Sequence, residues 1–175
     1  MIEIYPMEQG EEREAYELVV RTFHVHVAPV YSKKGVAKFL GMLSPDGLSD
    51  MRTGEDSFIL VAGDRQSILG VVSVINENHI ALLFVDPDHQ QTGIGKNLIE
   101  RAITECSNRN PALSAITVSS SPNSKAFYEG VGFEAQGGGR RGRYALHSNE
   151  KKVCQVNRML RPRLFHAVCF NVSAE

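Results

Sequence analysis

Residues 85–97 read V-D-P-D-H-Q-Q-T-G-I-G-K-N, with Gly93 and Gly95 between a fully apolar run, residues 80–85, and a stripe formed by Ile94, Leu98, Ile99, Ala102 and Ile103. The run has the length of a buried strand and the stripe has helical spacing. A chain that passes from a strand through a glycine turn into a helix presents the first N–H groups of that helix to whatever lies in front of it. Those donors have no partners inside the helix, and the macrodipole adds positive charge there. The chemistry that fits is capture of a phosphate or pyrophosphate. Glycine at the turn lets the anion approach the backbone. The backbone of residues 92–95 would do most of the holding, with Gln90, Gln91, Thr92, Ile94 and Lys96 around it.

Spacing separates this loop from two commoner ones. A nucleoside-triphosphate loop ending at Gly95-Lys96 needs glycine at position 90 and a hydroxyl at position 97, where Gln90 and Asn97 stand. A dinucleotide fingerprint needs a small residue at Leu98 and an opening strand near the N-terminus. What remains is Gln-x-x-Gly-x-Gly, residues 90–95. Further along, residues 119–133 read S-S-S-P-N-S-K-A-F-Y-E-G-V-G-F. Together the two segments resemble the acetyl-coenzyme A motifs of the GNAT superfamily of N-acetyltransferases. Asn123, Ala126, Phe127, Tyr128, Gly132 and Phe133 match the second motif position by position, and the resemblance covers roughly residues 2–147.

That resemblance implies an α/β protein of the GNAT fold. Its central sheet is mixed and mostly antiparallel, flanked by helices, with one splayed parallel strand pair whose exposed edge receives the pantetheine arm. It implies acetyl-CoA as co-substrate, no metal, and transfer of the acetyl group to a primary amine of a small molecule, peptide or protein. Such transfer needs a neutral amine, a donor for the carbonyl oxygen and a proton for the departing thiolate. A backbone N–H around Phe84 and Val85 is the expected donor. Tyr128 is the expected acid, since an ordinary phenol titrates near 10, close to a thiol. Asn123 either caps the helix it precedes or bonds the pantetheine. Relatives commonly place a carboxylate about eleven residues before the Gln that opens the loop, and here that place is His79, with Glu77 two residues earlier. Histidine ordinarily titrates near 6.5, which suits a base near neutrality. The acceptor is expected between the N-terminal helices, with His24, His26, Tyr31 and Ser32 as candidates to line its pocket.

Composition bounds the rest. At 175 residues and 42% hydrophobic the chain can bury one good core. It has no apolar run long enough to span a membrane, and M-I-E-I-Y-P lacks a basic region followed by an apolar stretch, so a cytoplasmic enzyme is expected. Three cysteines without close spacing point to neither disulfides nor zinc. Charge is uneven: residues 1–137 carry 11 Lys and Arg against 18 Asp and Glu, net -7, whereas residues 138–175 carry 8 against 2, net +6. The expected division is a catalytic domain over residues 1–147 and a basic extension over residues 148–175. A basic extension leaves open a non-catalytic coenzyme A-binding module that attaches to nucleic acid or protein, although a solvated tail accounts for it as well. Residues 164–172 are apolar enough for a strand, a helix or a homodimer contact.

The elements that must position this chemistry alternate along the chain. Residues 2–5 form a short strand. Glu11, Glu12 and Glu14 open a helix whose core face is Tyr16, Val19, Val20 and Phe23. Pro29 ends it, a second helix spans residues 33–43, and S-P-D-G at 44–47 reads as a turn. Residues 58–62, 68–75 and 79–85 are three strands of an antiparallel meander. A helix over residues 93–107 and a strand over 113–119 complete a parallel crossover, and residues 133–136 and 143–147 close the sheet.

Overall fold

A computed structural model describes residues 1–121, 124–135 and 142–147, the last six as backbone alone. The expected contact Asn123 and the extension 148–175 lie outside the described residues. The elements are β1 (Glu3–Pro6), α1 (Glu12–His26), α2 (Lys33–Met42), α3 (Pro45–Thr53), β2 (Phe58–Gly63), β3 (Ile68–Ile75), β4 (His79–Val85), α4 (Ile94–Arg109), β5 (Ala115–Ser120), α5 (Lys125–Gly130), β6 (Glu134–Ala135) and β7 (Gly142–His147). Among the described residues the sheet has seven strands in the order β1-β2-β3-β4-β5-β7-β6. Every neighbouring pair is antiparallel except β4 and β5.

Helices cover both faces of this sheet, so β2 reads F-I-L-V-A-G without alternation and is buried along its whole length. On one face Leu18, Val19 and Phe23 of α1 pack with Phe39, Leu48 and the inward side chains Val61, Val71, Leu82 and Phe84. Phe23 stacks on Phe39 with ring centroids 4.1 Å apart. On the other face Leu98, Ile99, Ala102 and Cys106 of α4 meet Val72, Val74, Ile80, Ile116 and Val118, with Tyr128 and Phe133 closing the cluster. Each fully buried Leu or Ile in these layers contributes roughly 1.5–3 kcal/mol.

Two local expectations need correction. The buried stripe of α1 is Ala15, Leu18, Val19, Thr22 and Phe23, turned from the expected face so that Tyr16 and Val20 pack only partly. Residues 44–47 are no turn between elements but the start of α3. Ser44 accepts a hydrogen bond from the Gly47 amide at 3.0 Å, and Pro45 takes the first helical position, where a missing N–H costs nothing. Ser, Pro, Asp and Gly favour a turn and a helix start alike, and the following Leu48, fully buried, decides for the helix.

The strand that matters most is β4. The Asn78 carbonyl accepts from Thr117 on the β5 side, and the Asp86 amide donates to Leu69 on the β3 side. These residues are an even number apart, so in a regular strand both would face the same edge. The register shift opposite Ser73 and Val74, which skips Ala81, reverses the parity. Beyond it the backbone groups of Leu83 and Val85 point away from β3. β5 does not meet them, because β4 and β5 are in register only at His79–Thr117 and Ile80–Val118.

Gly70 on β3 lets α4 lie close above this region. A Cβ there would stand 2.9 Å from Leu98 Cδ1 and 3.0 Å from Ile94 Cγ2, both in the packed core. Gly70→Ala is expected to lower the unfolding free energy by about 1–3 kcal/mol, measured by urea denaturation. An unchanged midpoint would mean that α4 is free to shift.

Candidate active site

Where β4 and β5 part, a cavity of about 490 Å³ opens, and a smaller one of about 60 Å³ continues between the strands. Val27, Leu83, Phe84, Ser121, Ser124 and Tyr128 line both. The larger is bounded on one side by the glycine loop, through Gln90, Gln91, Gly93, Gly95 and Lys96, and on the other by Thr22 and His26 of α1. Its size suits a cofactor-sized ligand.

The loop is built to leave donors unpaired. Gly93 caps α4 with φ of +92°, and no side chain caps that end. The first bond into the helix runs from the Asn97 amide to the Gly93 carbonyl, 3.0 Å. The N–H groups of Ile94, Gly95 and Lys96 therefore have no partner within the helix. The two glycines serve differently. A Cβ on Gly93 would meet nothing within 4 Å, and only its backbone angle requires glycine, whereas Gly95 has an ordinary angle and its missing Cβ leaves the wall between Phe127 and Val85 open. Gln90 donates to the Val85 carbonyl at 3.1 Å, and Thr92 donates to the His89 carbonyl at 2.6 Å. Those bonds hold a loop in which Gln91 also has positive φ, 61°.

Several expected site residues come together here and others do not. Phe84, Val85, Gln90, Gln91, Gly93, Gly95, Lys96 and Tyr128 line the larger cavity. Thr92 does not line it, and Ile94 turns its side chain into the core beneath α4. By ladder alternation the amide of Phe84 faces β3, so the donors at the wedge are those of Leu83 and Val85. Glu77 and His79 line neither cavity. His79 stands at the closed end of the wedge with Nδ1 2.8 Å from Thr117 Oγ1, and Glu77 accepts from Asn110 at 3.0 Å beyond the end of α4. Six residue steps along β4 carry His79 about 20 Å from Val85, while the smaller cavity reaches Ile80, the neighbour of His79. Of the expected acceptor residues only His26 lines the cavity, since Ser32 caps α2 by accepting from Gly35 and His24 lies exposed on α1 beside the Phe23 ring.

Leu83, Thr22, Ser121, Ser124 and Phe127 were not anticipated. Phe127 adjoins Tyr128 in the motif, and Thr22 is a polar residue within an apolar helical stripe, so both carried a signal. Tyr128 is buried, edge-on to Phe127 and Phe133 with centroids 5.2 and 5.6 Å away. Burial pushes its phenol well above the ordinary value, contrary to the expectation of a phenol titrating near a thiol.

Asp86 joins the parts. Its carboxylate, only 12% exposed, accepts from Arg21 of α1 at 2.5 Å, from the Asp88 amide at 3.0 Å, and pairs with His89 Nδ1 at 3.2 Å. α1, the end of β4 and the glycine loop thus meet at one carboxylate. Among the described residues, no group of three or more His, Cys, Asp or Glu is arranged to hold a metal ion, and no helix is long and apolar enough to cross a membrane.

Residues 27–148 match the family described as the acetyltransferase (GNAT) domain. No curated protein matches the chain in sequence. Among solved structures, the PaiA N-acetyltransferase from Thermoplasma acidophilum in complex with coenzyme A is similar with a TM-score of 0.73 at 16% identity, over 85% of this chain and 99% of that one. A GNAT-family acetyltransferase from Staphylococcus aureus Mu50 has a TM-score of 0.67 at 16% identity, over 84% and 99%. A GNAT-family acetyltransferase from Brucella melitensis in complex with acetyl-CoA has a TM-score of 0.60 at 16% identity, over 87% and 92%. These likenesses establish the shared fold.

Burial alone would push the Asp86 carboxyl up, but the bonds from His89, Arg21 and the Asp88 amide outweigh it and hold the group below its ordinary value. A carboxyl depressed in the folded state stabilises the protein above its ordinary pKa, and that contribution is lost as pH falls through the depressed value. Asp86→Asn is therefore expected to cost about 1–3 kcal/mol near pH 7. The gap between variant and parent should narrow as pH falls below roughly 4 and close once pH passes the depressed value, in denaturation series across pH; a gap that does not narrow with acid would contradict the ionic tie.

Proposed function

The chain belongs to the GNAT acetyltransferase family, and from that premise we propose that it moves an acetyl group from acetyl-CoA to a primary amine by direct attack. The observation that carries the reading is the meeting of two unlike surfaces at Tyr128. One is the loop with three unpartnered helix N–H groups, which fits a pyrophosphate. The other is the open edge of β4, which fits the amides of an extended arm. Acetyl-CoA supplies an activated thioester and a thiol leaving group. Gln90, Gln91, Gly93, Gly95 and Lys96 hold its phosphate end, Lys96 adding a cation that is only loosely engaged by Glu100 at 3.8 Å.

The N–H groups of Leu83 and Val85 meet the negative charge that develops on the carbonyl oxygen. As the C–N bond forms and the C–S bond breaks, the nitrogen loses a proton and the sulfur gains one. Tyr128 stays protonated because of its burial, and it donates a hydrogen bond to the departing sulfur. A phenol raised above the thiol range would not surrender its proton completely, so the proton shed by the nitrogen completes the balance. His26, on the opposite wall, is placed to receive that proton and pass it on. No acyl-enzyme is involved in this reading. Cys106, the described cysteine, lies under α4 with its thiol pushed up to about 11 by burial, far from nucleophilic at neutral pH.

Calorimetric titration with acetyl-CoA should give a micromolar dissociation constant. Gly95→Ala should weaken it by about tenfold or more without lowering the melting temperature, because the added methyl makes only ordinary contacts at 3.5–3.6 Å and alanine favours a helix by about 1 kcal/mol. Absence of binding at millimolar acetyl-CoA would end the proposal. Tyr128→Phe should lower kcat by about 10²-fold and leave acetyl-CoA affinity within about twofold, followed by thiol release. An unchanged kcat would take Tyr128 out of the mechanism.

A further inference from the structure

The smaller cavity, about 60 Å³, continues from the larger one into the angle between β4 and β5. The two share Leu83 and Tyr128, whereas Ile80, Ala81, Leu82, Val118, Ser119 and Ser120 line the smaller alone among the described residues. Ile80 and Val118 are themselves a registered pair of the two strands, so the space ends where the strands join. A group that passes Tyr128 enters a slot with a closed end.

Ile80, Leu82, Phe84 and Val118 give the slot buried apolar side chains. Its serines are engaged with the chain: Ser120 donates to the Ser121 carbonyl at 2.8 Å, and the Ser121 and Ser124 hydroxyls pair at 2.9 Å. A hydrocarbon lying beside them need not break those bonds. A water-sized group, which is also about the size of a methylene, needs roughly 10–15 Å³, so about 60 Å³ holds about four to six of them. Acetyl has one carbon past its carbonyl and would leave most of this space empty, forfeiting dispersion contacts. The three carbons of a butyryl tail fill it better, and the seven of an octanoyl tail exceed it.

Resting on the donor reading above, which sets the thioester carbonyl at Leu83 and its sulfur at Tyr128, we infer that the donor site takes short straight acyl chains longer than acetyl, propionyl and butyryl, with the tail in the slot between β4 and β5. The transfer itself is unchanged: the C–N bond forms as the C–S bond breaks, and the proton shed by the amine balances the one gained by the sulfur. Ser119, which lines the slot and not the larger cavity, is then a residue that sets the permitted chain length.

Calorimetric titration of the full chain with coenzyme A, acetyl-CoA, butyryl-CoA and octanoyl-CoA tests this without an acceptor. Each buried methylene favours transfer out of water by about fourfold, so butyryl-CoA should bind about tenfold more tightly than acetyl-CoA. Octanoyl-CoA should bind more weakly than butyryl-CoA. Ser119→Ala should keep the butyryl advantage. Ser119→Leu, which fills the slot, should cut it to about twofold or less, with free coenzyme A bound as in the parent. Ser119→Val, a residue that suits a strand, makes the same test if the leucine variant does not fold. Butyryl-CoA binding no more tightly than acetyl-CoA would overturn the inference, as would octanoyl-CoA binding most tightly, or a butyryl advantage that survives the larger side chain at position 119. Failure of both coenzyme A and acetyl-CoA to bind would instead remove the donor reading on which it rests.

Discussion

β4 and β5 are joined at one end only. Two registered pairs at His79 and Ile80 hold them, and past those pairs the strand edges diverge inside the protein. Unpaired backbone groups in the interior are costly, so a parallel pair that opens this way persists only where the surrounding layers hold it. Here α1 grips β3 and β4 from one face while α4 packs over β2, β3 and β4 from the other. The bulge at Ala81 then decides which amides face the gap. Without that one-residue shift, Leu83 and Val85 would aim their N–H groups at β3 and the wedge would present the alternate residues. The donors, both cavities and the place of Tyr128 follow from this incomplete pairing.

A cleft of this kind works only if its two sides keep a fixed spacing, and the Asp86 carboxylate provides that tie. The Arg21 guanidinium is about half exposed, so its Coulombic attraction alone would be screened and weak. Three donors converging on a largely buried carboxylate make a stronger junction than a surface pair. Next to it the loop carries strain, with Gln91 and Gly93 in left-handed conformations, worth about 1–2 kcal/mol for the non-glycine residue. Gln90 and Thr92 offset that strain through bonds to carbonyls of the same loop. Their side chains therefore fix the shape of the glycine loop, and with Gln91 and Thr92 neutral, Lys96 is the Lys or Arg that lines the cavity among the described residues.

Much of this was legible in the sequence because the signals were local. The meander of β2, β3 and β4, the glycine loop and the helix after it lie in consecutive residues, and periodicity and turn chemistry report on consecutive residues. S-P-D-G was misread for the same reason: its four residues suit a turn as well as a helix start, and the choice is made by Leu48 reaching the core. Glu77 and His79 were assigned by their count from Gln90, which measures distance along β4 and cannot say which end of the wedge is closed. The acidity of Tyr128 was likewise out of reach, since it depends on Phe127, Phe133 and the core around them. Thr22 was visible only as an irregularity in an apolar stripe. Its place on a cavity wall required the cavity that α1 and β4 form together from residues about sixty apart.

The low polarity of the cleft gives one physical reason for several of its features. Burial disfavours the anionic form of Tyr128 and leaves its phenol a hydrogen-bond donor. Among the described residues no carboxylate lines either cavity. In the reaction proposed above, charge would develop on the carbonyl oxygen and the sulfur, where the Leu83 and Val85 amides and the Tyr128 hydroxyl would meet it. A carboxylate placed on the same wall would bind the cationic amine more tightly in the ground state and oppose its deprotonation, raising affinity without raising the rate.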